Sequence, residues 1–114
     1  MTNLAEASCE ACDQDGPRVE GDELSTLLAE IPEWRHESTD GVPRLSREYA
    51  FENFVDALAF TNAVGGVAEE EGHHPALLTE WGSVRVSWWT HTIKGVHRND
   101  FVMAAKTDRL YVAR

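Results

Sequence analysis

Between residues 53 and 72 apolar side chains recur at three- and four-residue spacing, while the segments before and after alternate at period two. A chain that changes period in this way must build a sheet and cover it with helices. The stripe is Phe54, Ala57, Leu58, Thr61, Val64 and Ala68, with Asn53 placed to cap the first turn. Gly65-Gly66 interrupts it, at a cost of about 1 kcal/mol per glycine relative to alanine. That cost implies close packing there against the sheet or a neighbouring helix.

Residues 44–51 form the first alternating strand, with Leu45, Arg47, Tyr49 and Phe51 on one side and Arg44, Ser46, Glu48 and Ala50 on the other. A short strand over 34–37 precedes it, joined through Ser38-Thr39-Asp40-Gly41, which tolerates left-handed backbone. After the long helix come strands over 76–80 and 83–91, joined at Trp81-Gly82, where Gly82 is expected to supply the positive φ of a tight turn. In the second of these Val84, Val86, Trp88 and Thr90 alternate with Ser83, Arg85, Ser87, Trp89 and His91. Leu24, Leu27, Leu28 and Ile31 mark a helix over 22–30 that Pro32 stops. A last helix from Arg98 has Phe101, Val102, Ala105 and Leu110 to bury. The fold class is α+β, a two-layer sandwich in the order αββαββα. Its short links favour a four-stranded antiparallel sheet with helices packed on one face.

Residues 1–21 read as an acidic, flexible leader, and residues 22–114 as one domain. Within the leader, Cys9 and Cys12 have the spacing of a redox pair or half a zinc site, but with no partner pair elsewhere they read as incidental surface thiols. The net charge of −10 repels phosphate backbones and anionic headgroups, which argues against nucleic-acid and membrane partners. No apolar run approaches the ~20 residues of a spanning helix, and the N-terminus lacks the features of a signal peptide. A cytoplasmic protein is expected.

Chemistry concentrates where the long helix ends, at Glu69-Glu70-Glu71-Gly72-His73-His74-Pro75. Glu69 and His73 are four residues apart, which places them on one helix flank. Pro75 forces His74 towards extended backbone, so the two imidazoles should point in different directions. Imidazole is the side chain suited to acid and base work near neutral pH, and it also bonds the free carbonyls of a helix end. His91, at a strand end, would join them if the second hairpin lies beside the helix terminus. Asp100 stands three residues after His97 at a helix start, where an acid also serves the free amides. Trp81 is expected to be a packed aromatic, although at a turn it can stack on a flat heterocycle. Three histidines and Glu69 could also ligate zinc.

The pattern Glu69-x3-His73-His74-Pro75-x5-Trp81-x9-His91-x8-Asp100 resembles the signature of the pterin-4a-carbinolamine dehydratases. Arg47-Glu48-Tyr49-Ala50-Phe51, residues 54–60 and residues 101–106 are similar to that family too, so the likeness covers roughly residues 22–110. It implies the αββαββα fold, a homodimer or homotetramer, and loss of water from 4a-hydroxytetrahydropterin to give quinonoid dihydropterin. The pterin would be substrate, with no cofactor and no metal, and an aromatic amino acid hydroxylase would share the pathway. Position by position, the resemblance assigns catalysis to His73, His74 and His91, and substrate contact to Glu69, Trp81 and Asp100. Members of this family also act as non-catalytic dimerisation or assembly factors and coactivators, the alternative role here. The chain departs from the family pattern at Gly72, at Lys94-Gly95 and at His97, where a capping threonine is usual.

Overall fold

A computed structural model describes residues 4–6 and 18–113. Its elements run α1 (Gly21–Glu30), β1 (Arg35–Thr39), β2 (Val42–Ala50), α2 (Phe54–Glu71), β3 (Ala76–Glu80), β4 (Ser83–Trp88) and α3 (Arg98–Ala113). The sheet is antiparallel throughout in the order β1-β2-β4-β3. This is the expected αββαββα architecture. Asp40 and Gly41 both take positive φ, 52° and 81°, and close the first hairpin as a two-residue turn of this kind requires. No helix among the described residues is long and apolar enough to cross a membrane.

One face of the sheet carries the core. Leu45 and Tyr49 of β2 and Val84, Val86 and Trp88 of β4 are all buried, as the alternation predicted. They meet Ala57, Phe60, Val64 and Ala68 of α2 and Phe101, Val102, Met103 and Ala104 of α3. Asp108 of α3 locks the layers together. One of its oxygens accepts from Trp34 Nε1 (3.0 Å), Arg47 (2.7 Å) and the Tyr49 hydroxyl (2.5 Å).

Several expectations are corrected. In α2, Phe54 and Leu58 stay 48% and 42% exposed while Phe60 turns inward, its ring centroid 4.8 Å from that of Tyr49. The helix is apolar on two flanks, and the rings of Tyr49 and Phe51 select the inner one. A Cβ on Gly65 or Gly66 would meet nothing within 4 Å, so close packing within this chain does not explain the glycine pair. Gly82 does not take positive φ; its carbonyl accepts from Phe51 N–H at 2.8 Å. Strand β4 stops at Trp88, and His91 opens a 3-10 turn (His91–Ile93) closed by a bridge between Thr90 and Gly95. Trp81 is 73% exposed at the β3–β4 turn, where it has no core to join.

Parts of the first 21 residues pack on the domain. Leu4 and Ala5 are buried in a 3-10 turn (Leu4–Glu6) against α3, where Lys106 Nζ donates to Ala5 O at 3.0 Å. Val19 is also buried, and its N–H donates to Val96 O at 2.7 Å. Cys9 and Cys12 lie outside the described residues.

Candidate active site

The end of α2 decides where its two histidines go. Gly72 adopts φ 67°, the left-handed conformation open to glycine without steric cost. Gly72 N–H then reaches back to Glu69 O (3.3 Å) and His73 N–H to Ala68 O (3.1 Å), a Schellman closure of the last turn. The departure at Gly72 is therefore the residue this bend requires. Because the helix ends there, the four-residue spacing of Glu69 and His73 no longer aligns them. Glu69 pairs with His74 instead, whose Nε2 donates to Oε2 at 2.8 Å with both side chains exposed.

His73 turns into the protein and is only 5% exposed. Its Nε2 donates to Asp100 Oδ1 at 2.5 Å, and its ring stacks on Trp88 with an interplanar angle of 15°. Asp100 is completely buried and has three donors. Its other oxygen accepts from the Thr90 hydroxyl (2.8 Å) and from His97 N–H (2.9 Å). A buried carboxylate without such donors would be heavily penalised. Asp100 thus serves both helix start and histidine. It closes a capping box in which His97 Nδ1 accepts from Asn99 N–H at 3.0 Å, so His97 does the work of the capping threonine.

Motif spacing does not mark Thr90 and Trp88 as site residues. The signal was present, because Thr90 continues the inward row of Val84, Val86 and Trp88 two residues beyond the end of β4 as its one polar member, and a buried hydroxyl needs a partner.

Across Thr90 the chain divides the site. Thr90 sends its hydroxyl inward to Asp100, and the next residue, His91, faces solvent with its ring centroid 4.6 Å from that of Trp89. The cavity lined by His91, about 570 Å³, takes its other walls from Arg18, residues 40–43, Trp89 and Lys94, and not from His73 or His74. The structure thus brings together His73 with Asp100 and His74 with Glu69, and links His91 to the first pair through its neighbour Thr90. Among the described residues, Trp81 makes no hydrogen bond or ring contact with any of them. A larger cavity, about 760 Å³ between α2 and the end of α3, is lined by none of the six signature residues. Among the described residues no three His, Cys, Asp or Glu side chains group as metal ligands.

The family model described as pterin 4 alpha carbinolamine dehydratase matches residues 17–110. A protein of Saccharophagus degradans, provisionally assigned as a pterin-4-alpha-carbinolamine dehydratase, is 60% identical over 111 residues, 97% of this chain and 98% of the relative. Among solved structures, a transcriptional coactivator/pterin dehydratase from Brucella melitensis superposes with a TM-score of 0.74 at 28% identity, covering 82% of this chain and 98% of that one. A pterin dehydratase-like protein identified as a RuBisCO assembly factor in the alpha-carboxysome gives a TM-score of 0.58 at 25% identity, over 68% and 88% of the two chains.

Proposed function

This chain belongs to the pterin-4a-carbinolamine dehydratase family, and we propose that it removes water from 4a-hydroxytetrahydropterin by histidine acid/base catalysis. The observation that carries the reading is the pairing at the end of α2. One imidazole is exposed on Glu69, and its neighbour is buried on Asp100.

In the proposed reaction the bond from C4a to the hydroxyl oxygen breaks as that oxygen receives a proton, and N5 gives up its proton. The products are water and quinonoid dihydropterin. His74 and His91 are the two exposed imidazoles of the signature, so they carry acid and base. Each proton transfer is worth ~10²–10⁴-fold. His73 supports them from beneath, held by Asp100 and Trp88. Glu69 orients the His74 ring, and the exposed indole of Trp81 is available to a flat heterocycle. The pterin is the substrate and not a cofactor. The reaction would serve tetrahydropterin recycling for an aromatic amino acid hydroxylase in the cytoplasm.

The exposed flank of α2, with Phe54, Val55 and Leu58, supports a homodimer or homotetramer, since apolar residues clustered in solvent mark an interaction surface. The same flank favours a second reading, an assembly or coactivator role like those named for the two solved relatives. The test is turnover of freshly prepared 4a-hydroxytetrahydropterin by wild type, His74→Ala and His91→Ala. Rates near wild type in both variants overturn the catalytic assignment, and pterin binding with no turnover in wild type selects the assembly role.

A further inference from the structure

The cavity that His91 lines differs in charge from the rest of the molecule. In a chain of net charge −10, Arg18, Lys94 and His91 stand in its lining with Trp89, against the one carboxylate, Asp40, that the described residues place there. The lining comes from the 40–43 turn, the 89–94 loop and Arg18.

Its cations are built in. Arg18 is held by the Val19–Val96 bond beside it, and its Nε donates to Ile93 O at 2.8 Å. Its stem crosses Gly95 so closely that a Cβ there would come within 3.1 Å of Arg18 Cδ. Lys94 holds left-handed backbone, φ 49°, where glycine would meet less strain. Trp89 is backed by Arg44, whose guanidinium carbon lies 3.8 Å from the ring centroid. Among the described residues Arg44 Nε is the one buried side-chain nitrogen or oxygen without a hydrogen-bond partner. Arg18, Lys94 and His91 therefore share with the Trp89 indole the lining of a space of about 570 Å³, within the size range of small-molecule sites.

We infer that this cavity receives an anionic group, carboxylate or phosphate, carried on the side chain of the pterin substrate. The inference rests on the dehydratase reading of His91. A pterin side chain leaves the ring at C6, next to N5, and N5 adjoins the C4a that loses its hydroxyl. An imidazole working at N5 or C4a therefore has the side chain for a neighbour, and the neighbours of His91 are Arg18 and Lys94. Arg18 can present its flat fork to an oxyanion, while Lys94 offers a point charge.

Binding of two stable oxidised pterins, pterin-6-carboxylate and 6-hydroxymethylpterin, followed by tryptophan fluorescence of the full chain, tests this apart from turnover. The carboxylate is expected to bind about fivefold or more tightly at low salt, with the advantage shrinking as salt screens the cations. Lys94→Met and Arg18→Met should each lose about two- to fivefold for the carboxylate, the size of one exposed ion contact, and nothing for the hydroxymethyl compound. Lys106→Met, on α3, should leave the preference as it is. Equal affinity for the two ligands overturns the inference, as does a preference that survives both cavity variants. A Lys94-dependent preference without turnover of any 4a-hydroxypterin sinks the dehydratase reading and keeps this site. Turnover without preference does the reverse.

Discussion

His73 Nε2 and Asp100 Oδ1 lie 2.5 Å apart across the joint between the end of α2 and the start of α3, with the imidazole stacked on Trp88 of β4. One carboxylate thereby ties two helix termini to the sheet. Asp100→Ala would leave His73, the Thr90 hydroxyl and His97 N–H without their acceptor. Losing one partner of a buried pair costs on the order of 3 kcal/mol, so urea unfolding should show a loss of that size together with reduced dehydratase activity. A loss under about 0.5 kcal/mol would show that the joint is not held by this contact.

The pair at His74 and Glu69 should behave oppositely, because both side chains are exposed. His74→Ala is expected to lower turnover by ~10²-fold or more, while stability changes by less than about 1 kcal/mol. Glu69→Gln should lower turnover less and leave the fold unchanged. Parallel rate assays and thermal melts separate the two effects.

Gly72→Ala tests the bend that sends the two imidazoles apart. A side chain at φ 67° costs roughly 1–2 kcal/mol, and relaxing that strain would move His73 away from Asp100. Lowered stability with altered His73 imidazole shifts by NMR is the expected outcome. An unchanged His73 signal would separate the glycine from the placement of the pair.

Alkaline pH should weaken the fold through Tyr49. Burial, with the hydrogen bond to Asp108 next in size, holds its phenol far above the ordinary tyrosine value. In the unfolded chain the phenol loses its proton near pH ~10, while the folded chain keeps it. The stabilisation is therefore complete below that pH and declines as pH rises above it. Tyr49→Phe should be less stable at pH 8 by about 1 kcal/mol for the lost bond, yet decline less steeply above pH 10. Urea midpoints measured across that range check the sign, and equal slopes in the two proteins would refute it.

Leu58, 42% exposed on α2, should report on self-association. Leu58→Glu is expected to reduce the solution mass by light scattering to that of a smaller assembly, with the far-ultraviolet circular dichroism retained. An unchanged mass would move the interface elsewhere.

Periodicity alone made most of the architecture legible. The alternation of Val84, Val86 and Trp88 and the N-cap at Asn53 are local features, and each element inherits its type from them. The spacing of Glu69, His73, His74, His91 and Asp100 marked the residues to watch. It could not say which would touch. Glu69 takes His74 because Gly72 ends the helix in left-handed backbone, and Asp100 takes His73 because α3 starts against the buried end of α2. The inner flank of α2 was equally beyond reach, since a helix apolar on two sides offers two solutions until the rings of Tyr49 and Phe51 choose Phe60. Sequence by itself determined the elements and the chemical groups, because backbone preference acts over a few residues. Tertiary structure alone decided the pairings, because a hydrogen bond between residues 73 and 100 depends on where the whole chain has carried them.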